Sequence, residues 1–81
     1  MKVRAQFFAQ LRDVIGVSER TVELSAGATV ADLLAKLYEQ TPELRRWEKN
    51  ILVGSGVEFV ELTHVLQRDE EIAIMPPVQG G

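Results

Sequence analysis

The 81-residue chain reads as an α+β domain, a mixed sheet of about five strands with one main helix lying across one face. Three observations carry that reading. Residues 2–8 alternate apolar and polar at the period of a strand, Thr29 to Tyr38 carry one unbroken helical apolar stripe, and from Ile51 onward the signals are again those of strands. The order is strand, short helix, strand, long helix and three strands, with no internal repeat, linker or second domain.

In the first strand Val3, Ala5 and Phe7 share one face, and Lys2, Arg4 and Gln6 the other. Phe8 falls on the polar face, where an aromatic ring meets water unless another protein covers it. Leu11, Val14 and Ile15, spaced i, i+3 and i+4, predict a short helix, and Gly16 suits the left-handed residue that closes one. Arg20 to Leu24 alternate as a second strand paired with the first. Thr29 opens the longest helix, because its hydroxyl can cap a free backbone N–H while Asp32 favours the positive end of the helix dipole. Val30, Leu33, Leu34, Leu37 and Tyr38 form its stripe, which Thr41-Pro42 ends. Leu44 and Trp47 mark a shorter helical stretch. Ile51-Leu52-Val53 is the third strand, Gly54-Ser55-Gly56 a turn, Val57 to Leu62 the fourth strand and Glu71 to Met75 the last. Within it Ile72 and Ile74 face one way, Ala73 and Met75 the other.

Composition removes several function classes. With 46% apolar and 26% charged residues the chain is of ordinary globular type, and at its length roughly 60% of the unfolded surface can be buried. That suffices for one core but hardly for a deep catalytic cleft. The absence of cysteine excludes disulfides, zinc knuckles and thiol chemistry. A net charge of −3 argues against nucleic acid as a partner, since Arg45, Arg46 and Lys49 are the sole basic concentration and read as a solvated helix face. Residues 1–15 lack the apolar run of a signal peptide, and nothing approaches the roughly 18 apolar residues of a membrane span, so a cytoplasmic domain with no membrane partner is expected.

No internal active site is visible. His64 is the single histidine and cannot by itself form a multi-ligand metal site or a catalytic pair. Asp69, Glu70 and Glu71 read as a solvated turn before the last strand, and Glu58 and Glu61 as strand positions, so no metal is expected. Gly54-Ser55-Gly56 lacks the Lys and Ser/Thr of a phosphate loop and opens no helix.

The end of the chain differs in kind. No charged side chain follows Glu71, and the last six residues are Pro76-Pro77-Val78-Gln79-Gly80-Gly81. Two terminal glycines arise by chance in roughly one chain in 200. Prolines cannot continue the sheet and favour an extended tail, and six extended residues reach at most about 20 Å. Glycines without a β-carbon let the main chain enter a slot closed to other residues. Residues 1–75 are therefore expected to form the domain and 76–81 an extended tail that delivers its own terminal carboxylate. A carboxylate is a poor electrophile, so its activation needs a partner that supplies ATP.

Phe7-Phe8-Ala9-Gln10-Leu11-Arg12 followed by Gly16, the capped helix from Thr29-Val30 through Leu37, and Glu71-Ile72-Ala73 leading into Pro76-Pro77-Val78-Gln79-Gly80-Gly81 resemble the small subunit of molybdopterin synthase. That family is a sulfur carrier of ubiquitin-like β-grasp fold, and the resemblance covers nearly the whole chain. Asp69 stands where the family usually has a glycine in the turn before the last strand, and aspartate tolerates the left-handed geometry. The resemblance implies that an E1-like enzyme uses ATP to adenylate Gly81, and that the carboxylate becomes a thiocarboxylate. The tail Pro76 to Gly80 would then enter the large synthase subunit, a cyclic pterin precursor would receive the sulfur, and the complex would be a heterotetramer. No cofactor is expected on this chain itself. A ubiquitin-type modifier and the thiamine-pathway sulfur carrier share the Gly-Gly end, and an interaction module with an inert terminus is a further class. By β-grasp topology Phe8 should neighbour Met75 on the sheet face not covered by the long helix, with Phe59 extending the patch as a partner interface.

Overall fold

The alternation at the start of the chain becomes β1 (Lys2–Phe7), with Val3, Ala5 and Phe7 buried. The structure, a computed structural model describing residues 1–77, continues with α1 (Gln10–Ile15), β2 (Glu19–Glu23), α2 (Val30–Gln40), a 3-10 helix (Pro42–Trp47), β3 (Leu52–Ser55), β4 (Glu58–Phe59) and β5 (Glu71–Met75). The strands form one mixed sheet in the order β2-β1-β5-β3-β4. β1 and β5 run parallel at its centre, and the other neighbours are antiparallel.

The expected α+β architecture is therefore the one observed, and its core lies between α2 and one face of the sheet. The buried set includes Val3 and Phe7 from β1, Ile72 and Ile74 from β5, and Leu33 and Leu37 from α2. Leu11 of α1 and Leu44 of the 3-10 helix join the same core. The stretch marked by Leu44 and Trp47 is helical, as its spacing implies, with Leu44 fully buried and Trp47 packed at the margin.

α2 begins on a reciprocal cap. Thr29 Oγ1 accepts the Asp32 N–H at 3.4 Å, and Asp32 Oδ2 accepts the Thr29 N–H at 2.9 Å. The first helical amides, which have no partner within a helix, are taken by a distant loop: the Val30 N–H donates to the His64 carbonyl and the Ala31 N–H to the Leu62 carbonyl, each at 3.0 Å. The helix is thus tied to the segment between β4 and β5. At the far end of α2, Arg20 of β2 donates to Gln40 Oε1 at 3.1 Å.

Turn chemistry follows the residue types. Gly16 closes α1 at φ 91°, its N–H donating to the Arg12 carbonyl. Asp69 takes φ 62°, the left-handed geometry expected of it. Three sequence expectations need correction. Gly54 and Ser55 belong to β3, and the turn is Gly56-Val57, because β3 needs Gly54 and Ser55 to pair with β5. The fourth strand is Glu58–Phe59 and not Val57 to Leu62, since from Leu62 the chain turns away to cover the start of α2. β1 ends at Phe7, with Phe8 the first residue beyond it.

Removing the Thr29 hydroxyl deletes one half of the reciprocal cap and leaves the core untouched. Thr29→Ala is expected to cost about 1 kcal/mol in urea unfolding, with an unchanged denaturant slope. A loss near zero would show that the loop carbonyls alone hold the helix end.

Candidate functional site

The face of the sheet opposite α2 has no helix over it. Its composition follows from pairing: Gln6 lies beside Ala73, Leu52 beside Met75, and Gly54 beside both Ala73 and Phe59. Paired residues point to the same side of a sheet. Ala73, Met75, Leu52 and Phe59 therefore share the open face, while their neighbours Ile72, Ile74 and Val53 point into the core. Phe8 continues the ladder by one residue. Its N–H donates to the Ile74 carbonyl at 3.2 Å, which brings it level with Met75.

Phe8 is 45% exposed and Phe59 71%. Between them Met75 leans over Gly54, where a β-carbon would lie 3.4 Å from Met75 Cε. Gly54 thus leaves a seat for the methionine, which a larger side chain would take away. Charge borders this patch on the β1 side, with Arg4 paired to Glu71 and Gln6 bonded to Glu19 at 3.5 Å. A contiguous apolar area rimmed by charge is the anatomy of a docking surface. Register thus places Met75 and Phe59 on the uncovered face and sets Phe8 one residue beyond β1, level with Met75. Ala73 lies there too, as the alternation of the last strand implies, while Leu52 and Gly54 were missed by sequence reasoning because their facing depends on the β3–β5 register.

β5 ends at Met75, and Pro76 and Pro77 follow it as half-buried residues outside any strand. Val78, Gln79, Gly80 and Gly81 lie outside the described residues. Met75, a residue of the open face, is the last one paired.

A second polar cluster was not anticipated. Glu70, expected in a solvated turn, has a side chain only 13% exposed. Its Oε2 accepts from Ser55 Oγ and lies 2.9 Å from His64 Nε2, and its Oε1 accepts the Gln67 N–H at 2.7 Å. Burial pushes this carboxyl up, but the hydrogen bonds from Ser55, Gln67 and His64 outweigh it and hold Glu70 below the usual carboxylate range. Serine, histidine and glutamate here do not form a nucleophilic device. The carboxylate sits between the other two, so Ser55 donates to Glu70 and no imidazole faces its hydroxyl. The cluster instead fastens β3, the His64 loop and the start of β5 together. The Gln67-to-Glu70 spacing of a turn was its one sequence signal.

Among the described residues no three His, Asp or Glu side chains stand close enough to hold a metal ion, and no helix is long and apolar enough to cross a membrane. A depression of about 710 Å³ between the 24–28 loop and α2 is lined by Ser25 and bordered by Glu23, Asp32, Lys36 and Glu39. The described residues present an apolar sheet face and, at its central strand, the root of the terminal segment.

A mixed sheet with its first and last strands parallel at the centre and one long helix across a single face is the ubiquitin-like β-grasp. Comparison with solved structures agrees: the small archaeal modifier protein 1 of Haloferax volcanii superposes with a TM-score of 0.88 at 29% identity, covering all of both chains. The family model of ThiS matches residues 5–81, and the chain belongs to the ThiS family. Among curated proteins it is 36% identical to the molybdopterin synthase sulfur carrier subunit of Chlamydomonas reinhardtii over the whole of both chains. It is 29% identical to the human protein of the same name, covering 99% of this chain and 94% of that one.

Two measurements separate the face from the cluster. A carboxyl whose folded pKa lies below its ordinary 4.5 stabilises the fold above that value and loses the contribution as pH falls through the folded one. Glu70→Gln is therefore expected to cost about 1–3 kcal/mol at pH 7, the worth of hydrogen bonds to a charged group. In urea titrations the gap from the parent should narrow as pH falls below 4.5 and close once Glu70 is protonated in the fold. Phe8→Ala, by contrast, should leave the unfolding midpoint nearly unchanged, since its ring adds little to the core. A loss of several kcal/mol, the scale of a core truncation, would place Phe8 inside instead.

Proposed function

We propose that this chain is the sulfur carrier of a molybdopterin synthase, working through its Gly81 carboxylate. The observation that carries the reading is the pairing of a bare apolar sheet face with an uncharged Pro-Pro-Val-Gln-Gly-Gly terminus that leaves from that face's central strand. Whole-length similarity to sulfur carrier subunits supports it. An E1-like enzyme would join the carboxylate to ATP, releasing pyrophosphate and giving an acyl adenylate. A sulfide-level sulfur nucleophile then displaces AMP and leaves a thiocarboxylate. In the large subunit the sulfur passes to a carbon of a cyclic pterin precursor, water restoring the carboxylate, and two such transfers complete a dithiolene.

The chain's own residues have simple tasks in this scheme. Pro76 and Pro77 stop the sheet and stiffen the root of the tail. Val78 and Gln79 carry no charge into the partner's channel, and Gly80 and Gly81 are slim enough to traverse it. Phe8, Met75 and Phe59 anchor the body on the large subunit while the terminus is inside, in a complex read as a heterotetramer. No metal or cofactor is required on this chain, and the site of action is the cytoplasm.

A second reading is favoured by one finding, the similarity to a small archaeal modifier protein. There the same activated carboxylate would pass to a lysine amine of another protein. The thiamine-pathway carrier, a third possibility within the ThiS family, uses the same thiocarboxylate with a different acceptor.

Intact-mass analysis of the chain purified with its activating enzyme is expected to show one terminal oxygen replaced by sulfur. Extension by residues beyond Gly81 should abolish that species without shifting the unfolding midpoint. Persistent absence of the sulfur-bearing form beside an active partner overturns the carrier reading. A ladder of isopeptide conjugates lost on deleting Gly80 and Gly81 would favour the modifier. Phe8→Ala and Met75→Ala are expected to weaken binding to the large subunit by about tenfold or more, the scale of a buried aromatic or apolar anchor.

A further inference from the structure

Between Phe7, fully in the core, and Leu11, likewise in the core, the chain must reverse within three residues. It does so at Ala9, whose φ is 52° and ψ −130°. The Leu11 N–H closes the turn on the Phe8 carbonyl at 3.1 Å. These are the features of a type II′ turn with Ala9 as its first central residue, a position that requires positive φ and that glycine fills without steric cost. Alanine at such angles is strained, and strain of this kind persists where the surroundings or a function demand it. Nothing in the fold requires a methyl group here, because Ala9 is exposed.

What the turn does hold is Phe8. Its N–H is bound to the Ile74 carbonyl and its carbonyl to the Leu11 N–H, so the turn sets the angle at which the ring leaves the sheet. A glycine at position 9 would open backbone regions that a β-carbon forbids, and the residue before it would share that freedom. We infer that Ala9 is a positioning residue: its strained turn pre-orders Phe8 for docking on the large subunit at the expense of local stability. The inference rests on the docking role of Phe8 put forward above.

The prediction has opposite signs for binding and for folding. Ala9→Gly should weaken binding to the large subunit about threefold to tenfold, the cost of ordering a freed anchor side chain. Its unfolding midpoint should be unchanged or higher, and the NMR order of the Phe8 ring should fall. Total synthesis gives the decisive second variant. D-alanine at position 9 adopts the same angles without strain while keeping the backbone restricted, so it should restore parental binding and raise the midpoint. If the D-alanine protein binds as weakly as the glycine variant, the alanine methyl acts by touching the partner and positioning is wrong. Ala9→Gly binding like the parent while Phe8→Ala is weakened also overturns the inference, as does a fall of its midpoint in step with binding. Should Phe8→Ala itself bind like the parent, the docking reading fails first and takes this inference with it.

Discussion

The fold depends on the parallel pairing of β1 with β5 at the centre of the sheet. It joins residues as far apart as Arg4 and Glu71, and a parallel pair cannot be closed by a hairpin. The chain has to cross over, and α2 with its flanking segments supplies the crossover on one side. Phe7 and Ile74 meet under that helix, and Gln6 and Ala73 meet on the other side, where no helix lies. Parallel strands are ordinarily covered on both faces. Here α2 covers the pair on one face only; register leaves Met75 and Phe59 on the other, with Phe8 just beyond β1.

The same pairing decides where the tail begins. Because β5 is central and not an edge strand, its end emerges beside Phe8. In the proposed carrier role, that placement would bring the docking face and the root of the terminus side by side. In that role the chemistry would lie with the partners, as suits a body of this size.

Buried polar groups serve the frame. Glu70 gathers hydrogen bonds from Ser55 and Gln67 and faces His64, while the carbonyls of Leu62 and His64 receive the first amides of α2. One loop thereby satisfies a helix start on one side and a buried carboxylate on the other. Its removal would leave both unpaired, which is why a stretch without regular structure keeps one path. Tyr38 is the counterexample on the opposite flank. Its hydroxyl is buried without a partner, and burial followed by the nearby Glu48 raises its pKa against the opposing pull of Arg45.

Local patterns carried much of the outcome. The stripe of α2 is legible because helical periodicity repeats within a few residues, and Thr29, Gly16 and Asp69 are legible because caps and turns depend on side-chain chemistry at one position. The uncharged Pro-Pro and Gly-Gly ending is likewise a matter of composition. Phe8 announced itself by breaking a strand's alternation, and the expected topology set Met75 beside it, but Leu52 and Gly54 were not legible. The seat that Gly54 leaves for Met75, the facing of Leu52, the strained turn at Ala9 and the burial of Glu70 all arise from contacts between segments distant in the chain. Those contacts are fixed by strand order and register, and a one-residue slip would send each side chain to the opposite face. The sequence by itself thus determined the elements and the chemistry of the terminus. Tertiary structure alone decided that Leu52 and Gly54 join the open face and that Glu70 is buried, because sheet pairing is non-local and neighbouring residues along a strand point to opposite sides.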